Sequence, residues 1–412
     1  MKELVKKLIP GLILSAYHYV LSGIGAFWYG FPSKKLIVIG VTGTSGKSTV
    51  VNLTTKIFQE AGIKVASMSS INFTIDREEF ENKLKMTMPG RMKVQRFLKK
   101  AVEAGCQYVI MEVTSEGIKQ HRHQFINFDT AVFTNLSPEH IESHGSFEKY
   151  REAKLKLFKK TKKRHIVNGD DKNVQYFLKI PSEKKIVFGI ENYELGIKNI
   201  EKIQAEEVRS TESSSSFIIH NYSFIIPLVG KFNVYNALTA ISIATSQEIS
   251  LDICKKSLEK VKSVVGRMEL VSQNPRVIVD YAHTPTQLEK VYQSIEGKKI
   301  CVLGSCGGGR DKWKRPVLGE IAEKYCTQII ITNEDPYDED PMKIIEEVAG
   351  NTKVEKILDR KEAIKRALNL AQNNETVIIT GKGSETLMCV KGGKKIPWSD
   401  KQIVLDLLGD LG

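Results

Sequence analysis

The chain has 412 residues, 41% of them hydrophobic, with 61 Lys and Arg against 48 Asp and Glu and a formal net charge of +13. This composition excludes a disordered or fibrous chain and leaves room for two or three domains around a large core. The positive balance suits anionic partners, but the lysines are scattered and not interleaved with aromatics, which speaks against nucleic acid.

The chain opens on an apolar leader. Leu8–Ser33 contains no Asp, Glu, Lys or Arg and is bracketed by Lys6 and Lys7 before it and Lys34 and Lys35 after it. Its length permits a membrane span, yet Pro10, Gly11, Gly23 and Gly25 interrupt it. Three readings stay open: helices buried against the core, a peripheral membrane anchor with Trp28 and Tyr29 at the interface, or a span. No A-x-A cleavage site marks a secretory signal.

Leu36–Ala61 carries the first chemistry. The β-branched run Leu36–Ile39 leads into Gly43-Thr44-Ser45-Gly46-Lys47-Ser48-Thr49, and Val50, Leu53, Ile57 and Phe58 then recur on one helical face. Strand, glycine turn, Lys-Ser and helix make a phosphate-binding loop. Gly43 and Gly46 let backbone N–H groups approach phosphate oxygens, the helix N-terminus adds positive potential, Lys47 reaches the β/γ-phosphates, and Ser48 can ligate Mg²⁺. The first glycine of G-x-x-x-x-G-K-[ST] would fall on Val41, so the match is offset.

Beyond the loop, strands at Tyr108–Val113 and Phe128–Asn135 alternate with helices at Lys93–Ala104 and Ser146–Lys160, the pattern of a mostly parallel sheet. Residues 193–229 read as a small antiparallel subsheet, and near Gly266-Arg267 a second βα alternation begins. The expected layout is an apolar helical segment over 1–35, a P-loop central domain over 36–265, and a Rossmann-like doubly wound domain over 266–412, all α/β. The six cysteines show no C-x-x-C and no metal-finger spacing, so they read as reduced thiols.

Three further positions stand out. Glu112 closes a buried strand, where a second Mg²⁺ ligand belongs in a parallel nucleotide-binding sheet. His140 and His144 lie four apart, but the adjoining Gly145 leaves a continuous helix open. On a wheel for 146–160, Phe147, Tyr150, Lys154 and Phe158 share an arc of about 80°, which sets one lysine on the apolar face. A lysine there either snorkels to solvent or is buried with a depressed pKa and a reactive neutral amine.

Ten ordered segments, VTGTSGKST (41–49), MEVTSEG (111–117), FDTAVFTNLSPEHIESHG (128–145), YREAK (150–154), GKFNVYNALTA (230–240), GRME (266–269), VDYAHTP (279–285), GGGRDKWKRP (307–316), EDPYDEDP (334–341) and GKGSE (381–385), resemble the Mur ligases, and among them the MurE type. The resemblance implies a cytoplasmic ATP-dependent carbon–nitrogen ligase of peptidoglycan precursor synthesis, acting with two Mg²⁺ ions through an acyl phosphate. It implies that Lys47 and Ser48 hold phosphates and the first ion, that Glu112 and His140 are further ligands, and that Lys154 is carbamylated. Asn236, Arg267 and Asp280 match nucleotide contacts; Thr87, Ser115, His283, Glu334, Asp335 and Glu385 match the substrate side. The implied partners are an amino acid and a muramoyl peptide on a nucleotide or lipid carrier, the latter presented at the inner membrane face.

Three departures qualify the transfer. No counterpart of the family's UDP-binding N-terminal domain precedes the phosphate loop, so a different hold on the carrier is expected. The D-N-P-R motif of diaminopimelate-adding enzymes reads Glu334-Asp335-Pro336-Tyr337, and the acidic run through Asp338, Glu339 and Asp340 suggests a cationic amino acid, lysine or ornithine; an exposed acidic loop is the plainer reading. Ser384 and Glu116 stand where the family carries histidines. Two other functions stay open: a MurT-like amidating subunit on a lipid-linked precursor, and a non-catalytic nucleotide-binding homologue.

Overall fold

The computed structural model describes residues 11–82, 84, 86–191, 200–372 and 374–409. Lys6, Lys7 and Leu8–Pro10 of the apolar leader, and 193–199 before the subsheet, lie outside the described residues.

The phosphate-loop strand sits in the middle of the first sheet. The strands are β1 (Ile37–Thr42), β2 (Val65–Met68), β3 (Asn72–Ile75), β4 (Glu78–Glu81), β5 (Tyr108–Glu112), β6 (Phe128–Phe133), β7 (Arg164–Asn168), β8 (Lys184–Gly189) and β9 (Ile200–Gln204). They pair in the order β4-β3-β2-β5-β1-β6-β7-β8-β9, parallel from β2 to β9 with an antiparallel edge at β3 and β4. Side chains alternate across the strands. Ile39 and Val41 face helices Lys47–Glu60 and Lys231–Ser246, burying Val50, Leu53, Ile57, Phe58 and Leu238. Val38 faces the other way, toward Leu98 of helix Arg91–Glu103 and Leu157 and Phe158 of helix Phe147–Lys160. Each such side chain contributes about 1.5–3 kcal/mol by leaving water.

A small antiparallel sheet follows, β10 (Glu206–Ser210), β11 (Ser215–Ile219) and β12 (Tyr222–Ile226), with Phe217 stacked on Phe224. The second large sheet comprises β13 (Glu269–Gln273), β14 (Arg276–Val279), β15 (Lys299–Leu303), β16 (Gln328–Thr332), β17 (Glu355–Ile357) and β18 (Thr376–Ile379). Its order is β13-β14-β18-β15-β16-β17, parallel apart from the β13 edge. Helices Pro285–Gln293, Lys314–Tyr325 and Pro341–Ala349 cover one face, and Arg360–Leu370 with Asp400–Gly409 cover the other. It is doubly wound.

One expectation fails: Cys301 on β15 and Cys326 after helix Lys314–Tyr325 form a disulfide, with Cα atoms 6.2 Å apart, where reduced thiols were expected. Of the three readings of the leader, the span finds no support: no helix among the described residues is long and apolar enough to cross a membrane. Helix Gly11–Trp28 packs along helix Arg91–Glu103 instead.

The floor of the second sheet hangs on one ion pair. Arg360 donates from Nε and Nη2 to the two Asp400 oxygens at 2.8 and 2.7 Å, and from Nη2 to Thr380 O at 2.8 Å. Both side chains are fully buried. Asp400→Ala strands the guanidinium and is expected to lower unfolding free energy by about 3–5 kcal/mol in urea titrations. Arg360→Met with Asp400→Leu removes both charges and should lose much less; equal losses in the two proteins would refute this account.

Candidate active site

The two sheets meet at the carboxyl end of β1. Gly43 and Gly46 take φ of 153° and 82° in the turn. A Cβ at Gly43 would lie 2.0 Å from Thr134 Oγ1, and one at Gly46 would lie 2.3 Å from Asn236 Oδ1, so neither position tolerates a side chain. Asn135 fastens the turn, accepting from Ser45 N at 3.0 Å and donating to Ser45 O at 3.1 Å. The Thr44 hydroxyl donates to Ser137 O at 3.2 Å and lies 3.1 Å from the Tyr150 hydroxyl.

Two lysines converge on one carbonyl. Lys47 Nζ donates to Gly43 O and Thr44 O, each at 3.0 Å, and Lys154 Nζ donates to the same Gly43 O at 2.8 Å. Lys154 is 1% exposed, its ammonium 4.4 Å from the Tyr150 ring centre. Burial lowers the pKa of both amines; for Lys154 the drop is large, and the Lys47 charge adds to it. The apolar-face lysine is thus buried, not snorkelling.

Beside them lies a run of oxygen donors. Ser48 Oγ is 2.7 Å from Ser70 Oγ, and Ser70 N donates to Glu112 Oε1 at 2.8 Å. Thr49 is buried in the same first turn of the helix. His140 holds a left-handed φ of 56° just before helix Ile141–His144, so the two histidines do not share one helix. Burial, with help from Arg310 and Lys154, holds the His140 imidazole far below its usual pKa and therefore neutral. No three His, Cys, Asp or Glu side chains cluster as a metal site among the described residues. An ion here would rely on hydroxyls, Glu112 and phosphate oxygens, the ligand set that suits Mg²⁺.

A cavity of about 750 Å³ opens above the loop and gathers almost every residue singled out in the sequence. Thr44–Thr49, Glu112 and His140 line it, together with Asn236, Asp170, Asp171, Thr87 and Ser115; Arg267, Asp280, His283, Glu334, Asp335 and Glu385 join them from the part of the chain that builds the second sheet. Gly43 and Lys154 are not among its lining residues; Lys154 touches the loop through Gly43 O. Asp280 accepts from Met268 N at 2.7 Å and Ala282 N at 2.6 Å, bracing the turn that presents Arg267. Arg267 lies 4.2 Å over the Tyr281 ring and reaches Ser70 Oγ at 3.5 Å. Half-buried His283 is held by Tyr281 O, 2.8 Å from Nδ1.

The acidic run proves to be mostly committed. Asp335 accepts from Lys382 Nζ at 2.9 Å and from Cys389 N at 2.7 Å. Glu339 pairs with Arg315 and Lys312, Asp338 accepts from Gly392 N, and Asp340 caps helix Pro341–Ala349. Glu334 differs: Oε1 accepts from Cys306 Sγ at 2.8 Å, while its buried Oε2 has no hydrogen-bond partner. Glu385 accepts from Lys382 Nζ at 2.6 Å.

Several site residues escaped the sequence reading. Arg122 and Arg310 line the cavity. Around His140 the second sheet closes a latch: Asp311 accepts from Ile141 N at 3.2 Å and Glu142 N at 2.9 Å, Lys312 N donates to Glu142 at 2.6 Å, and buried Lys314 pairs with buried Glu139 at 3.0 Å. The GGGRDKWKRP segment was the available signal, but nothing local says what its charges meet.

Comparison with known proteins agrees with this geometry. Residues 41–244 match the Mur ligase middle domain and residues 266–383 the Mur ligase glutamate ligase domain. A UDP-N-acetylmuramoyl-L-alanyl-D-glutamate--2,6-diaminopimelate ligase of Syntrophomonas wolfei is 38% identical over 408 residues, covering 94% of this chain and 81% of the relative. A solved structure of an enzyme with that name superposes with a TM-score of 0.62 at 26% identity, over 91% of this chain and 79% of the other. E. coli FolC in complex with ADP shares the fold, with a TM-score of 0.70 at 17% identity over 95% and 93% of the two chains. With both sheets matched in order, and a relative this similar along nearly its whole length, the chain belongs to the Mur ligase family of ATP-dependent amino-acid ligases of peptidoglycan precursor synthesis.

Proposed function

We propose that this cleft joins an amino acid to the terminal carboxylate of a muramoyl peptide, using ATP. The convergence of Lys47 and Lys154 on Gly43 O, beneath a loop shaped for phosphate, carries the reading. Asn236 borders the adenine end, the turn amides and Lys47 hold the phosphates, and Arg267 and Asp280 approach from the second sheet. The substrate carboxylate attacks the γ-phosphorus, ADP leaves, and an acyl phosphate results. The amino group of the incoming amino acid then attacks the acyl carbon, phosphate departs, and the amine gives up its proton. Two Mg²⁺ ions, held by Ser48, Glu112, His140 and a modified Lys154, would offset charge on the transferring phosphoryl group.

Lys154 needs that modification to serve. As a neutral amine it can add CO₂, releasing a proton and gaining a carboxylate that turns its repulsion from Lys47 into attraction. Thr87, Ser115 and Arg122 border the peptide end. The latch around His140 closes the second domain, 266–412, over the central one, 36–265, and keeps water from the acyl phosphate. A nucleotide-linked carrier is supported by the names of the relatives; a lipid-linked carrier, with the Leu8–Ser33 leader at the membrane, is the further form of this reading.

For the amino acid, unpartnered Glu334 Oε2 favours a cationic side chain, lysine or ornithine. Diaminopimelate is the second reading, favoured by the relatives' name, although Tyr337 replaces the arginine of D-N-P-R.

Three outcomes test these assignments. Lys154→Ala should lower kcat for amino-acid-dependent ADP release by about 10²–10³, the scale of losing one preorganised charge stabiliser. Removing CO₂ should reproduce much of that loss in the unmutated enzyme. The depressed Lys154 pKa keeps the amine neutral until pH falls through that lowered value, so activity should fail on the acid side as the ammonium forms. Full activity in Lys154→Ala would remove the carbamate from the mechanism.

Glu334→Gln should reduce kcat/KM for lysine or ornithine by about tenfold or more and leave a neutral amino acid little changed. Product mass spectrometry over an amino-acid panel decides; turnover of diaminopimelate but not lysine would overturn the cationic pocket.

Lys314→Met should lower kcat with little change in ATP affinity, because it strands buried Glu139 at a cost of about 3–5 kcal/mol in the closed state. Glu139→Gln added to Lys314→Met should recover part of the loss. Weakened ATP binding with unchanged kcat would show that the latch is not a closure contact.

A further inference from the structure

Helix Gly11–Trp28 is built inside out. Ile13, Tyr17, Val20, Ile24, Phe27 and Trp28 all project into solvent, Phe27 and Trp28 at 76% and 75% exposure. At 100° per residue these six fall within an arc of about 100°. The opposite face is mostly small or polar and makes the protein contacts, joined by half-exposed Tyr19, whose ring lies 5.8 Å from that of His121 and 5.1 Å from that of Phe125. Ser15 Oγ lies 2.7 Å from His121 Nε2, Ser22 Oγ donates to His121 O at 2.8 Å, and Ala26 is fully buried. Gly25 lies so close to helix Arg91–Glu103 that a Cβ there would be 3.0 Å from Met92 Sδ. An ordinary surface helix turns its large apolar side chains inward; this one packs through glycine, serine, alanine and Tyr19 and leaves the six large side chains of the arc outside.

The stripe is bordered by cations. Exposed Lys34 and Lys35 lie on the turn Pro32–Lys35 that follows the helix. On the neighbouring helix, exposed Lys93, Arg96 and Lys100 share a face with Met92, the residue against Gly25. The helix itself carries no Asp, Glu, Lys or Arg, and no helix among the described residues is long and apolar enough to cross a bilayer. A charge-free stripe with aromatic residues, rimmed by lysine and arginine, is complementary to an anionic lipid surface: rings and aliphatic side chains enter the headgroup boundary while the cations meet phosphates.

We infer that this outward face docks the enzyme on an anionic membrane surface, the helix lying in the interface plane. The inference stands apart from the ligase reading, because vesicle binding requires no turnover. The test uses the full chain with vesicles of equal parts phosphatidylglycerol and phosphatidylcholine, against phosphatidylcholine alone, read by flotation and tryptophan emission. Binding to the anionic vesicles should exceed binding to neutral ones by about tenfold and weaken as salt screens the cations. Phe27→Glu with Trp28→Glu should lower binding by about tenfold or more without changing ATP-dependent activity or melting temperature, since both side chains are solvent-exposed. Lys34→Glu with Lys35→Glu should remove much of the preference for anionic vesicles, and Trp28→Phe should remove the emission shift. Failure of the unmutated chain to bind anionic vesicles overturns the inference, as does equal binding to both vesicle types. A dimer in solution that Phe27→Glu with Trp28→Glu dissociates, without vesicle binding, would instead assign the face to a second copy of the chain.

Discussion

Two lysines, Lys154 buried and Lys47 half-buried, share the Gly43 carbonyl, and the site is organised around the resulting electrostatic conflict. Each Nζ lies within 3.0 Å of the same oxygen. At an effective dielectric constant near 20, two unit charges about 5 Å apart repel by roughly 3 kcal/mol. Burial adds its own penalty on each ammonium. The fold relieves the conflict by pushing the Lys154 pKa well below its usual value through burial and by keeping Lys47 near Glu112, whose charge works against the burial of that amine. A phosphate above the loop removes the problem on the Lys47 side, and a negative charge on Lys154 removes it on the other. The pair is therefore best satisfied when the site is loaded.

That arrangement was legible where the cause was local. The phosphate loop follows from β-branched residues running into glycines with positive φ and then a 3.6-period helix. Glu112 follows from ending a buried strand, and Lys154 from its position on an apolar arc. Ser70 was not legible, because its meeting with Ser48 and Glu112 depends on β2 pairing with β5. Neither was the latch, which joins Glu139 to the Lys314 side chain and Glu142 to the Lys312 backbone N–H, about 170 residues later. Edge strands such as Glu78–Glu81, exposed throughout, carry no burial period for a sequence reading to find. The Cys301–Cys326 disulfide joins a central strand to a helix end, with no spacing motif to announce it.

The acidic loop shows why residue type alone misleads at a site. Five carboxylates in seven residues suggest a pocket for a cation. Four of them hold the loop itself, against Lys382, Cys389, Gly392, Arg315, Lys312 and the start of a helix. Among these side chains, the buried carboxylate oxygen that keeps free capacity for a ligand is Glu334 Oε2. Arg360, by holding Thr380 O and Asn333 O, fixes the strand ends on either side of that carboxylate.

The leader poses the same problem in reverse. Its sequence carries no Asp, Glu, Lys or Arg on any side, so hydropathy alone leaves burial, anchoring and spanning open. Size decides between them. A helix can approach a neighbour closely only along small residues, and Ser15, Ser22, Gly25 and Ala26 lie on one side of Gly11–Trp28, while Phe27, Trp28 and Ile13 would not fit there. The close packing that fastens the helix to the enzyme therefore turns its largest apolar side chains toward solvent. A face of that kind is costly to leave in water, at about 25 cal/mol per Å² of apolar surface, and the anionic membrane surface inferred above would remove that cost without the helix having to cross the bilayer.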